Sequence, residues 1–294
     1  MEFRVLKYFL AVAREQTFLG AAEALHVTQP TLSRQIQDLE NELGKTLIVR
    51  SSRKISLTEE GMIFRKRAEE ICKLVEKTQN EILDYDGTNV AGDIFIGAGE
   101  TDAVRRIARV AKIIQKKHPF VHFHISSGDA ADIIEDLDKG LLDFALVFTP
   151  LDIEKYNRLE LESKTVWGLF LRKDNPFAEK DFITNADLQK IPLMISRQTK
   201  GNVIMKKWLG TKLSELNIVG TYSLLYNATF FVEEGFASVL SIDGIINTKD
   251  TNLVFRPLQS QPETKLCIVW KKQQVMTKAS TVFLQEVSKA CAQR

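Results

Sequence analysis

Two helical patterns joined by a very short connection limit what the first sixty residues can become. Ala21, Ala22, Ala24 and Leu25 mark a brief helix that Thr17 can cap, and Leu32, Ile36, Leu39 and Leu43 form the apolar stripe of the next. Only His26-Val27-Thr28 separates them. So tight a turn folds the second helix back across the first, which is the helix-turn-helix arrangement. Thr28 stands where a cap belongs, Pro30 suits the first turn, and Gly44 stops the helix. An earlier stripe, Val5, Leu6, Phe9, Leu10, Val12 and Ala13, supplies a further helix. Residues 47–49 and 54–57 read as short strands around the basic tip Arg50-Ser51-Ser52-Arg53, a wing.

With Leu32, Ile36 and Leu39 on one face of the third helix, Gln29, Pro30, Ser33, Arg34 and Gln37 share the opposite one. Such a face suits the major groove of double-stranded DNA. Arg34 can donate to guanine O6 and N7, Gln29 or Gln37 can pair with adenine, and carbons of Thr28, Thr31 or Pro30 can touch a thymine methyl. Arg50, Arg53 and Lys54 are expected on phosphates or in the minor groove, where they add affinity rather than base identity. The alternative for both features is ordinary solvent exposure. Bulk charge does not decide, because net charge is only +2 and the first 62 residues hold eight Lys/Arg against eight Asp/Glu.

A chain of 294 residues suits a small domain plus a larger one, and 44% hydrophobic with 27% charged residues excludes disordered and fibrous classes. A long helix runs on to about residue 86, with Phe64, Ala68, Ile71, Val75, Thr78 and Ile82 at the steps of a coiled-coil seam. That seam implies dimerisation; the alternative is a helix lying on its own domain. Asp86-Gly87-Thr88-Asn89 breaks the helix as a hinge. Beyond it, strands at 93–97, 121–126 and 142–148 alternate with helices at 101–117 and 130–139, which implies a parallel sheet with crossover helices. A second set of strands follows at 166–171, 192–196, 216–222, 236–242 and 253–258. A strand at 265–270 and a helix at 277–292 close the chain.

Nothing points to catalysis: G-x-S-x-G, P-loop and H-E-x-x-H patterns are missing, and no cofactor is expected. Cys72, Cys267 and Cys291 are odd in number and lack C-x-x-C spacing, against disulfides and thiolate metal sites. His122 and His124 share one strand face, but spacing places no third ligand, so two partly buried, hydrogen-bonded histidines are expected instead of a metal. Phe230 and Phe231 read as core. No apolar run approaches the ~20 residues that span a bilayer, and a cytoplasmic, membrane-free protein is expected.

The stretch Ala21-Ala22-Glu23-Ala24-Leu25-His26-Val27-Thr28-Gln29-Pro30-Thr31-Leu32-Ser33-Arg34-Gln35-Ile36-Gln37-Asp38-Leu39-Glu40, ending in Leu43-Gly44, resembles the signature of LysR-type transcriptional regulators. Their recognition helix begins T-Q-P and continues S-R-Q-I. The resemblance runs through Leu47, Arg50, Leu57-Thr58 and Gly61 to residues 92–97, and more loosely to the C-terminus.

It implies a winged helix-turn-helix at 1–61, a linker and dimerisation helix at 62–87, and a two-lobed α/β effector domain like periplasmic solute-binding proteins at 88–294. Lobe I would comprise about 92–162 and 266–294, and lobe II about 163–265. It further implies operator DNA, a small-molecule effector, a second copy of the chain in dimers or tetramers, and RNA polymerase as partners. Cleft positions matching the family are Gly99, Glu100, Thr101, Asp102, Ser127, Gly128, Thr149, Ser196, Arg197 and Thr199. Family members often place Ser or Thr after the first strand, whereas this chain reads Ala98-Gly99-Glu100-Thr101-Asp102. Glu100 and Asp102 either cap a helix or meet an amine or hydroxyl, and Arg197 either holds a ligand carboxylate or phosphate or forms an ion pair. The competing class is a solute-binding protein with a helical extension, against which the helix-turn-helix and wing argue.

Overall fold

The structure is a computed structural model that describes residues 1–50, 54–83, 90–149, 155–161, 165–197 and 215–292. Arg53, Thr199 and the hinge at 86–89 lie outside the described residues. The chain divides into two compact units, Met1–Tyr85 and Asp86–Arg294.

In the first unit, helices α1 (Phe3–Glu15), α2 (Phe18–Ala24) and α3 (Gln29–Leu43) pack around fully buried Phe9, Val12, Ala21, Leu32 and Ile36. Thr17 caps α2, its hydroxyl accepting from the Gly20 amide at 3.1 Å. His26 turns the chain in the left-handed region (φ 55), a conformation rare for residues with a β-carbon, and the Val27 amide closes α2 on the Ala22 carbonyl. Gly44, at φ 63, ends α3 while the Lys45 amide reaches back to the Glu40 carbonyl. Leu43, expected in the stripe, is exposed, because the core beneath α3 ends at Leu39.

Strands β1 (Ile48–Arg50) and β2 (Ile55–Leu57) pair antiparallel as the wing. Glu40 ties the wing to α3: its carboxylate is buried and accepts from the amides of Leu47 (2.7 Å) and Ile48 (3.0 Å). Helix α4 (Glu59–Leu83) follows, with the Thr58 hydroxyl accepting from the Gly61 amide. Gly61 is required there, since a β-carbon would lie 2.1 Å from the Leu47 carbonyl oxygen. Phe64, Ala68 and Cys72 pack on Leu6, and Phe64 meets Phe9 edge to face at 4.9 Å. The near end of the expected seam therefore lies against the chain's own α1.

The second unit holds two mixed sheets. One contains β3 (Gly92–Ala98), β4 (Val121–Ser127), β5 (Phe144–Phe148), β6 (Tyr156–Leu161) and β12 (Leu266–Lys271), in the order β4-β3-β5-β12-β6. Helices α5 (Val104–Lys117) and α6 (Ala130–Asp138) and the C-terminal helix α9 (Lys278–Ala292) cover it, burying Ile94, Phe144, Ile268 and Phe283 in one layer and Ile133, Val147 and Cys267 in another. The other sheet has the order β11-β7-β10-β8-β9, from β7 (Trp167–Arg172), β8 (Leu193–Ser196), β9 (Ile218–Tyr222), β10 (Ser238–Ile242) and β11 (Leu253–Pro257). Helices α7 (Asn185–Leu188) and α8 (Leu225–Glu233) pack on it.

The sheets are not purely parallel. β12 is antiparallel to β5 and β6, because the chain re-enters the first sheet only after completing the second, and within the second sheet β7 is antiparallel to β10 and β11. Phe230 and Phe231 are not core: each is 47% exposed. Helix α8 buries Leu225, Ala228, Thr229 and Val232, which leaves those two rings on its outer face beside Tyr226 and Phe236.

Candidate functional site

Helix α3 presents two chemically opposite faces. Leu32, Ile36 and Leu39 are buried, while Thr28, Gln29, Pro30, Thr31, Arg34 and Gln37 are exposed and Ser33 is half-buried. Thr28 occupies the cap position, but its hydroxyl pairs with that of Thr31 at 2.8 Å rather than with a backbone amide. Both hydroxyls sit at the start of the exposed face. Arg34 has no hydrogen-bond or ionic partner among the described residues. Lys54 is exposed, just before β2.

Arg50, expected at a free tip, instead folds onto α3: its guanidinium carbon lies 5.0 Å from the Phe18 ring, Nη1 is 3.5 Å from the Ser33 hydroxyl and Nη2 is 3.3 Å from Gln37 Oε1. A planar cation stacked on a ring and facing two oxygens is held more firmly than one in open solvent.

Of the dimerisation positions, Phe64 and Ala68 face α1, Val75 is half-buried, and Ile71, Thr78 and Ile82 are exposed. Ile63 and Leu74 are exposed with them, so α4 carries a second apolar stripe beside the one that α1 covers, and Ile82 is 69% exposed.

In the second unit, the C-terminal ends of β3, β4 and β5 bring Gly99, Glu100, Thr101, Asp102, Ser127, Gly128 and Thr149 to one edge of the first sheet. The ends of β8, β9 and β10 bring Ser196, Arg197, Tyr222 and Gly244 to the corresponding edge of the second. The chain bridges the two edges itself. The Glu100 carboxylate accepts from the Leu225 amide at the start of α8. Arg197 Nη2 lies 3.3 Å from Asp129 Oδ2, while Asp129 Oδ1 caps α6 through the amides of Ala131 and Asp132. Asp102 packs against Gly244, where a β-carbon would come 3.1 Å from the aspartate Cβ.

Of the readings left open, Glu100 therefore caps a helix, but that of the opposite lobe, and Arg197 forms an ion pair across the lobes. Thr101 is buried, its hydroxyl accepting from the Ala103 amide, and Thr149 bonds the Lys265 carbonyl in the crossing segment. Burial raises the Tyr222 hydroxyl above its ordinary range, with the Ser241 hydrogen bond opposing and the Glu100 charge reinforcing that shift.

His122 and His124 are exposed rather than partly buried, because β4 is an edge strand. They flank one carboxylate, with His124 Nε2 2.9 Å and His122 Nδ1 3.7 Å from Asp93 Oδ1. No group of three or more His, Cys, Asp or Glu suited to a metal is found among the described residues. Burial raises the thiols of Cys72 and Cys267.

The family described as "Bacterial regulatory helix-turn-helix protein, lysR family" matches residues 3–62, and "LysR substrate binding domain" matches 87–292. The chain belongs to the LysR family of bacterial transcriptional regulators. Its relatives include the Hca operon transcriptional activator HcaR of Escherichia coli K12, 31% identical over 92% of each chain. Another is the HTH-type transcriptional regulator BsdA of Bacillus subtilis 168, 32% identical over 68% of this chain and 69% of that one. Among solved structures, full-length CbnR complexed with its target DNA covers 99% of this chain and 100% of that one, with TM-score 0.75 at 20% identity. HinK, a LysR family transcriptional regulator from Pseudomonas aeruginosa, has TM-score 0.57 at 21% identity over 99% of this chain and 98% of that one. At such identities these two likenesses speak to the fold.

This LysR-family chain is thus a DNA-binding transcriptional regulator with an effector-binding domain. Sequence reasoning missed Glu40, Tyr222 and the Leu225 amide. Glu40 sits within the LysR signature itself, but its partners come from the next element. The turn after β9, Ser223-Leu224, was the available signal for a helix N-terminus facing the cleft.

Proposed function

We propose that two copies of this LysR-family regulator join along the exposed stripe of α4, comprising Ile71, Thr78 and Ile82 with Leu74, and present their α3 helices to operator half-sites. Dimers pair again into tetramers. Half-sites read by two such helices lie about 34 Å apart or a multiple of it. Thr28, Gln29, Pro30, Thr31, Ser33, Arg34 and Gln37 face base edges, while Arg53 and Lys54 contact phosphates. A small metabolite binds between the lobes against Gly99–Asp102, Ser127, Gly128, Thr149, Ser196, Arg197 and Thr199, and changes how the dimers sit on DNA and what they offer RNA polymerase. The protein works in the cytoplasm by binding, not by catalysis.

The observation that carries this reading is the division of α3: a fully buried apolar face and, opposite it, polar groups exposed with Arg34 unpaired among the described residues. Arg34→Ala tests it, because a lost bidentate base contact costs roughly 1–3 kcal/mol. Full-length protein and duplex selected from a randomised library are titrated by fluorescence anisotropy. Unchanged affinity in Arg34→Ala would remove α3 from base reading.

A further inference from the structure

The second sheet has another end, a strand's length away from Ser196, Tyr222 and Gly244. There, where β7 finishes and β8 and β10 begin, lies a cavity of about 210 Å³. Pro176, Pro192, Val232 and Ala237 give it apolar walls. An apolar cavity of about 150 Å³ takes up benzene, so this volume admits a ring with a substituent. Ser238 lines it as well, and although that residue is only 3% exposed, its hydroxyl has no hydrogen-bond partner among the described residues. Such a hydroxyl costs free energy that a bonded ligand recovers.

The Arg172 guanidinium lies over Gly235, at φ 72, where a β-carbon would come 3.0 Å from Nη1. Its Nε and Nη2 donate to the two oxygens of Asp174 at 2.6 and 2.7 Å, which leaves both N–H groups of Nη1 without a partner among the described residues. The neighbouring charges decide what those donors can take. Asp174, through its hydrogen bonds and its charge, and Glu234, through its charge, raise the Arg172 pKa. One cation thus answers two carboxylates already. An entering carboxylate would be a third anion beside it, and an ammonium would meet the guanidinium itself. A neutral carbonyl oxygen avoids both repulsions and can accept from Nη1 or Ser238. Each Asp174 oxygen keeps a lone pair after its bond to Arg172, so it can still accept an N–H from the same ligand.

We propose that this end of the second sheet is a binding site, separate from the cleft, for a small uncharged carboxamide with an apolar body. The probes are benzamide and benzoate, alike in shape and different in charge. They are added to full-length protein and followed by saturation-transfer difference nuclear magnetic resonance. Wild type binds benzamide with a Kd of about millimolar order, and benzoate competes with it at least ~10-fold more weakly. Ser238→Ala removes one hydrogen bond and weakens benzamide about 3- to 10-fold. Asp174→Asn, at an exposed position, keeps an oxygen acceptor and removes one anion, so benzamide binds nearly as before while benzoate competes at least ~10-fold better. Arg197→Ala, in the cleft, leaves benzamide binding unchanged. Far-ultraviolet circular dichroism verifies that each variant is folded. Absence of saturation transfer to benzamide would overturn the proposal. Benzamide binding that Ser238→Ala does not alter would place the ligand elsewhere and overturn it too, as would benzoate competing equally in wild type and Asp174→Asn.

Discussion

Replacing Glu40 by alanine should detach the wing from the recognition helix. Its carboxylate is 7% exposed and one oxygen takes the amides of Leu47 at 2.7 Å and Ile48 at 3.0 Å, both on residues that are themselves buried. Hydrogen bonds to a charged acceptor contribute about 1.5–3 kcal/mol each, so losing the two makes Glu40→Ala cost roughly 3–6 kcal/mol. At ~0.05–0.15 kcal/mol per residue, a unit the size of Met1–Tyr85 holds roughly 4–13 kcal/mol in all. The loss is a large part of that. Glu40→Gln keeps an oxygen acceptor and loses the charge, which sets its expected cost at about 1–2 kcal/mol. The readout is amide hydrogen exchange at Leu47 and Ile48, together with thermal melting followed by circular dichroism. Trp167, Trp208 and Trp270 all belong to the second unit, so their fluorescence serves as an internal control that should not move. Exchange at those two amides equal to wild type in Glu40→Ala would refute the argument.

Further outcomes follow from the same geometry. Ile71→Asp combined with Ile82→Asp places charges on the exposed stripe of α4 and should yield folded monomers that no longer hold operator DNA; light scattering showing unchanged assembly would rule out that stripe. Glu100→Ala removes the only side chain bonded to the Leu225 amide among the described residues, and that amide should exchange at least ~10-fold faster, whereas unaltered exchange would exclude the Glu100 contact as a tie between the lobes. Asp187 is held at about 2 although burial pushes upward, because the Lys180 ammonium and the Thr184 amide and hydroxyl bond its carboxylate. A folded value below the unfolded one stabilises the protein above the unfolded range, and that contribution, roughly 2 kcal/mol at most, is lost as pH falls from about 4 to about 2. Urea melts by tryptophan fluorescence should show Asp187→Asn less stable than wild type near neutral pH and converging with it near pH 2.

The helices of the first unit were legible because their signals are local: apolar spacing, Thr17, and Gly44 all lie within a few residues of what they govern. Strand direction is not written in that way. Whether β12 runs with or against β5 depends on where the chain returns from, which no window of sequence contains. Strand β6, Tyr-Asn-Arg-Leu-Glu-Leu, escapes a reading by pattern because its apolar residues are few, and α8 because Leu-Tyr-Asn-Ala-Thr-Phe-Phe-Val-Glu is apolar nearly all round. The polar face of α3 could be read from spacing, whereas Arg50 lying back on it could not. The cleft residues were named by their place after strands, but the pairing of Arg197 with Asp129 joins segments far apart in sequence.

Asp129 uses its two oxygens for separate tasks, one for the α6 cap and the other for Arg197. Parting the lobes at that point leaves the helix capped and exposes only a pair whose arginine is already 57% solvated, a loss of about 0–1 kcal/mol. Opening and closing at this contact are then nearly isoenergetic. At this contact a ligand that favours one form by about 1.4 kcal/mol shifts the ratio tenfold, so the balance between the lobes is left to the Glu100 bond to the Leu225 amide and to whatever ligand lies beside it.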